Sequence, residues 1–161
     1  RNATFEDAEL RDVYFNGADL HGADFYKATF FHVDFSQAIG LLDQSAWLKE
    51  NFTMSPDGLI VYKIFGDSAE YDEWGDVSPG QELSENVNPS PAEEFGCGVS
   101  FATLDSIKRG HKFRVKDGKA FVYECILPPF VQVVVPYNTT GWARAAKLIV
   151  RRQMTLAELG F

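Results

Sequence analysis

From Phe5 to Phe35 every fifth residue is large and apolar: Phe5, Leu10, Phe15, Leu20, Phe25, Phe30 and Phe35. Two places before each stands a small apolar residue (Ala3, Ala8, Val13, Ala18, Ala23, Ala28, Val33), and Ala38 opens an eighth, unfinished unit. A helix repeats every 3.6 residues and a strand every two, so a period of five fits neither. A short fixed period marks a solenoid. Val replaces Ala only at Val13 and Val33, which lie twenty residues, or four units, apart. A square coil with one unit per side therefore stacks Phe5 under Phe25, Leu10 under Phe30 and Phe15 under Phe35 at strand spacing.

Beyond the repeat the pattern changes. Leu41, Leu42, Ser45, Ala46, Leu48 and Phe52 make an approximate helical face behind Asp43, a plausible N-cap. This helix is expected to cover the open apolar end of the coil, with Trp47 as a plug, because solenoids need caps. Ser55-Pro56-Asp57-Gly58 reads as a turn and residues 59–65 as a mostly buried strand. Residues 66–94 read as a long surface excursion with one short strand near 81–83. A strand over 98–102 precedes a short helix over 104–109, capped by Thr103 and ended by Gly110. Residues 112–115 and 120–127 flank Asp117-Gly118 as a hairpin. Further strands are expected over 130–136 and 145–151, and a terminal helix over 154–161. The organisation is thus a coil over residues 1–40, a capping helix and linker over 41–54, and a small β-rich α+β domain of five to seven strands over 55–161.

Composition narrows the function classes. The chain has 161 residues and 45% apolar content, enough for one or two packed cores. No run of apolar residues is long enough for a membrane span. No secretory leader pattern is visible, and the repeat is already running at Arg1, so more units are expected upstream. Cys97 and Cys125 form no Cys-x-x-Cys pair, which argues against zinc and for two reduced thiols in an intracellular setting. Net charge is −8 but uneven: residues 1–38 carry seven acids and three bases, 67–94 nine acids and no base, and 95–161 four acids and ten bases. Nucleic acid is a poor partner for such acidic stretches. Either the acidic stretch folds over the basic one, or it offers an acidic surface to a basic protein.

Two segments carry a resemblance. Ala18-Asp19-Leu20-His21-Gly22 and Ala23-Asp24-Phe25-Tyr26-Lys27 follow the pattern Ala, Asp or Asn, Leu or Phe, then two polar residues. Residues 3–38 so resemble the pentapeptide-repeat family, which implies a short right-handed quadrilateral β-helix. Val61-Tyr62-Lys63-Ile64-Phe65-Gly66, Gly96-Cys97-Gly98-Val99, Ala102-Thr103-Leu104 and Val133-Val134-Val135-Pro136-Tyr137-Asn138-Thr139 resemble an uncharacterised domain that follows such repeats in phage and bacterial proteins. That likeness implies a phage virion or accessory role and no known activity. Phe95 stands where a second cysteine is expected, which removes a thiol pair or metal site there.

Candidate chemistry is sparse. His21, His32 and His111 suggest neither a metal site nor a catalytic triad. Gly96-Cys97-Gly98 reads as a small buried filler in tight backbone, or alternatively as a reactive thiol. Tyr62, Ser100 and Glu124 occur in the strand order of NAD-using, ADP-ribosyltransferase-type enzymes, where a carboxylate stabilises a developing cation; they also fit as ordinary strand residues, with Glu124 solvated. Tyr14, Tyr26 and Phe31 fall on outward repeat positions, as protein-contact anchors or as residues covered by the second domain. Glu9, Asp19, Asp24 and Asp34 precede the large apolar residue, a place polar for structural reasons or, as in gyrase-protecting pentapeptide proteins, for imitation of DNA. The leading expectation is a non-enzymatic structural or protein-interaction module, intracellular or in a virion. It takes a protein partner or self-associates, without cofactor, metal, nucleic acid or membrane.

Overall fold

The structure, a computed structural model, describes residues 2–66, 77–94 and 96–161. The N-terminal coils are built by one backbone feature repeated in every unit. Asn2, Asp7, Asp12, Gly17, Gly22, Lys27, His32 and Gln37 all have φ between 51° and 72°. This left-handed conformation reverses the chain and gives the signature of a type II turn. The turns close with bonds such as Ala8 N–H to Phe5 O (3.0 Å) and Ala28 N–H to Phe25 O (2.9 Å). Between turns the chain pairs with the residue twenty places on. Thr4 bridges Asp24, Tyr14 bridges Asp34, Asp19 bridges Ile39, and β1 (Glu9–Arg11) runs parallel to β2 (Thr29–Phe31). The rings of Phe5 and Phe25 stack at 5.0 Å and those of Phe15 and Phe35 at 5.3 Å. Leu10 lies opposite Phe30, so the register is the one the spacing predicts.

The rest is β-rich with few helices. Helix α1 (Gln44–Asn51) starts at Asp43, whose carboxylate accepts the Ala46 N–H at 3.0 Å. Then come β3 (Thr53–Ser55), β4 (Gly58–Phe65), β5 (Glu82–Ser84), β6 (Val99–Ala102), α2 (Leu104–Lys116), β7 (Phe121–Leu127), β8 (Val133–Val134), β9 (Trp142–Ala145), β10 (Lys147–Gln153) and α3 (Leu156–Leu159). Eight strands form one antiparallel sheet in the order β5-β10-β7-β4-β6-β9-β8, with β3 beside β4. Only Ala146 separates β9 from β10, yet the two occupy distant places in the sheet. The sheet therefore bends sharply there, and Leu83 from one edge and Val135 beside the other share one core with Val61, Phe101, Cys125 and Leu148. On the opposite face α2 and α3 cover Ile64, Ala102 and Val122 through Ile107, Val115 and Leu159.

Several expectations need correction. Residues 112–115 are not a strand: α2 runs through Gly110 to Lys116, and Asp117-Gly118 ends it, with Gly118 N–H bonded to Val115 O at 3.1 Å. Ile107, His111 and Val115 continue one helical stripe, and a glycine costs a helix only about 1 kcal/mol. Trp47 does not plug the coil. It packs with Leu42, Leu48 and Phe52 on the bent sheet's core, while Leu41, Ala92 and Tyr137 close the core of the coil. The strand expected over 130–136 shrinks to β8, and the one over 145–151 is β10, with β9 before it, so residues 55–161 hold seven of the strands among the described residues, within the expected five to seven, and β3 from the linker adds an eighth to the sheet. In the acidic excursion a short strand, β5, does form beside β10. Residues 67–76, which carry most of the acids of that stretch, lie outside the described residues.

Candidate functional site

The coil and the sheet meet along a seam. Leu20, Phe25, Ala28 and Phe35 are the buried core of the coil. Tyr137 meets Phe35 edge-on at 5.0 Å, and burial raises its phenol pKa. Asn138, 2% exposed, donates through Nδ2 to the Ala28 carbonyl at 2.6 Å. Arg109 of α2 donates to the Tyr26 hydroxyl at 3.2 Å and to the Thr140 carbonyl at 3.0 Å. A cleft of ≈ 340 Å³ opens along this seam, lined among others by Asp24, Tyr26, Leu41, Trp47 and Tyr137. Its floor is coil and its walls belong to α1 and to the turn after β8, so it exists only because the two regions meet.

The three outward aromatics of the coil have different fates. Tyr14 is 75% exposed. Phe31 is 42% exposed, and the Arg11 guanidinium lies 4.1 Å from its ring centroid, an arrangement that favours a cation over the π face. Tyr26 is half-buried and held by Arg109. The acids one place before each large apolar residue serve the backbone. Asp19, Asp24 and Asp34 each accept the N–H two residues on, at 3.2, 2.9 and 2.8 Å. These Asx turns supply an acceptor at each corner. Asn16 ties the coils together by donating to the Asp34 carboxylate (3.0 Å) and to the Ser36 hydroxyl (2.7 Å). Together with the Ser36 bonds this holds Asp34 below its usual pKa. On the wall of β1, Glu9 pairs with Arg11.

In the sheet, Tyr62 lies directly opposite Glu124 between β4 and β7. Burial raises the Tyr62 pKa, and the neighbouring Glu124 carboxylate adds to the shift. Glu124 is not solvated, as expected for an ordinary strand residue, but 7% exposed. A bulge between Val150 and Arg152 turns two consecutive arginines onto it. Arg151 takes one carboxylate oxygen at 2.8 Å and Arg152 the other at 3.0 Å. Arg152 also reaches Glu158 of α3 at 2.7 Å, so the cluster latches that helix to the sheet. Both oxygens of Glu124 are thereby taken by cations. Ser100 belongs to a different contact: its hydroxyl and carbonyl accept from Lys63 Nζ at 3.1 and 3.0 Å. None of the three lines the cleft at the seam.

Three features escaped the sequence reading. Lys63 is 8% exposed, and burial lowers its pKa from 10.5 to about 8. Its place between Val61 and Phe65 on the inward parity of a strand was the available signal. Arg144, 4% exposed, donates to the carbonyls of Asn88 (3.0 Å), Ser90 (2.6 Å) and Glu93 (2.9 Å), and so clamps the loop after β5. Nothing in the sequence marked Arg144 or Asn138. The two cysteines are free, and burial pushes the Cys125 thiol up to about 12, an unreactive state. Cys97 is exposed rather than the buried filler expected, because Gly96-Cys97-Gly98 runs along the surface ahead of β6.

No helix among the described residues is long and apolar enough to cross a membrane. Comparison with curated proteins and with solved structures returns no match. Pentapeptide repeats are commonly protein-interaction or structural modules. It is to that family, Pentapeptide repeats, that residues 1–37 match, in eight copies.

Proposed function

We propose that residues 1–40 form a short right-handed quadrilateral β-helix that serves as a rigid docking post. In this reading residues 41–54 join the post to a small α+β domain, residues 55–161, that mediates protein contact; a phage virion or accessory setting rests on the resemblance of that second part alone. The observation that carries the proposal is the pairing of Tyr14 with Asp34 and of Arg11 with Phe31 in a laddered coil, which leaves Tyr14 75% exposed. A rigid backbone that presents an aromatic side chain loses little entropy on binding, and aromatic and arginine anchors dominate many interfaces. Asp19, Asp24 and Asp34 are occupied by their own turns, which is consistent with a scaffolding role for these acids.

The test is co-purification from the native source. Tyr14→Ser with Phe31→Ser should release the protein that co-purifies with the unmodified chain, while the thermal melt followed by far-UV circular dichroism stays put, because neither side chain is in the coil core. A partner retained by the double variant, or no partner at all, sinks the docking post.

A further inference from the structure

The outward face of α2 is built unlike the rest of the surface. Arg109, Lys112, Phe113 and Lys116 stand at i, i+3, i+4 and i+7, one stripe of a helix. The stripe points away from the core, since the buried residues of α2 are Ser106, Ile107 and Val115. Phe113 is 79% exposed, a large apolar side chain with no core role, and Phe121 beside the helix end is 44% exposed. Residues 104–119 hold six bases and two acids, a net of +4, in a chain of −8, which leaves −12 for the remainder. Arg109 and Arg114 have work within the fold, on Tyr26 and on the Gly66 carbonyl. Among the described residues Lys112 has the Phe161 ring as its partner, 5.7 Å from its Nζ. Among the described residues no carboxylate lies within ion-pair distance of Lys108, Lys112, Lys116 or Lys119.

The complementary surface is on the first coil. Residues 2–20 carry five acids and one base, a net of −4. Glu6, Asp7, Glu9 and Asp12 are exposed, and Tyr14 beside them is the coil's most exposed aromatic. The α2 segment therefore carries +4 with a bare phenylalanine, and the first coil as a whole −4 with a bare tyrosine. In the same molecule Arg109 reaches Tyr26, one coil from Asp7, whose N–H bonds the Tyr26 carbonyl at 3.0 Å, and the first-coil acids nevertheless remain exposed.

We infer that the basic stripe of α2 docks the acidic first coil of a second copy of this chain. In this inference the interface is heterologous: each copy gives its basic stripe to one neighbour and its acidic coil to another, in head-to-tail association. This deepens the docking-post reading, on which it rests, by naming the partner. Complementary charge steers and orients the contact, and Phe113 and Tyr14 supply its apolar anchor. Screening must weaken it, because the charges are at the surface.

Sedimentation velocity over a concentration series, at about 50 mM and about 500 mM NaCl, tests the inference. The unmodified chain should show an average mass that grows with concentration at low salt, by about twofold or more, and returns to monomer at high salt. Lys112→Glu/Lys116→Glu should be monomeric alone, and so should Glu6→Lys/Asp12→Lys. Position 12 tolerates lysine, since Lys27 occupies the same left-handed place in its unit. Mixed together, the two variants should associate again, because the intact acidic coil of one meets the intact basic stripe of the other. A chain that stays monomeric at low salt overturns the inference, and so does association that survives Lys112→Glu/Lys116→Glu, or variants that fail to combine on mixing. Binding of an oligothymidylate or of phosphatidylserine vesicles by a monomeric chain, lost in Lys112→Glu/Lys116→Glu, would give the stripe to a polyanion instead and overturn it too. A monomer here leaves the docking post standing if the Tyr14/Phe31 variant still releases a different protein.

Discussion

The coil and the sheet reach burial by opposite routes. In the coil each residue's role follows from its place in a unit of five. The large apolar side chain fills the centre, the residue before it bridges to the next coil, and the residue two places after it turns the corner at positive φ. Buried polar chemistry is scarce there, and the polar side chains that matter bond to their own turn. The sheet instead joins strands far apart in sequence and tolerates charge inside: Lys63, Glu124 and Arg144 are all buried. Repetition removes the need for long-range specificity, whereas a bent sheet needs particular partners for particular buried groups. The difference teaches where each region breaks.

The largest expected effect asks whether the two regions unfold as one. Phe25 is 5% exposed and packs against Phe5, Phe15, Phe30 and Phe35. Phe25→Ala should cost about 3–5 kcal/mol, by the lost burial and the cavity left behind. Because Asn138 and Tyr137 tie the coil to the sheet, tryptophan fluorescence, which reports the sheet side, should shift its urea midpoint together with circular dichroism. A fluorescence midpoint that stays in place would make the coil an independent unit and dissolve the seam as a coupling element.

Next comes the charge that the coil lacks. Lys63 is buried without a carboxylate in direct contact, so Lys63→Met should raise stability at pH 7 by about 1–3 kcal/mol in chemical denaturation. The folded pKa is about 8 against 10.5 for a free lysine. Between these values the unfolded chain holds a proton that the folded chain has lost. The Lys63 penalty is therefore complete below pH 8 and fades as pH rises toward 10.5, and the advantage of the variant should shrink over that window. An advantage that is flat or grows from pH 7 to 10 would show that desolvation is not what lowers the Lys63 pKa.

The smallest effect contrasts two glycines, neither with any atom within 4 Å of a Cβ added to it. Gly17 turns a corner of the coil at φ 68°, and Gly110 lies inside α2. Gly17→Val should destabilise by about 1–2 kcal/mol through backbone strain alone. Gly110→Ala should stabilise by about 0.5–1 kcal/mol through helix propensity. Equal signs in thermal melts would mean that backbone conformation is not what separates the two sites.

Legibility follows the same division. Stacking of Phe5 on Phe25 and of Phe15 on Phe35 was readable because like residues recur after one full circuit. A short strand expected near 81–83 and found at Glu82–Ser84, and the cap at Asp43, were readable from local chemistry. Residues 112–115 were misread because Lys-Phe-Arg-Val alternates with period two while also extending the stripe from Ile107 through His111 to Val115, and Asp117-Gly118 suits a hairpin and a helix end equally. The seam was unreadable. Its bonds join residues 83 and 110 positions apart, and no local pattern announces such a pairing. Of the anchors named on the coil, Tyr14 and Phe31 stay exposed, Phe31 with Arg11 over its ring, and only the fold reveals that Tyr26 is held by Arg109.

By itself the chain determined the period, the twenty-residue register and the outward or inward parity of the coil's side chains, since all three are properties of neighbours along the backbone. Tertiary structure alone decided what covers each surface. It sent Trp47 to the sheet and Tyr137 to the coil, placed two arginines on Glu124 through a bulge, and left Phe113 bare among bases. Parity says which way a side chain points, but what it meets there depends on residues brought close only when distant segments pack.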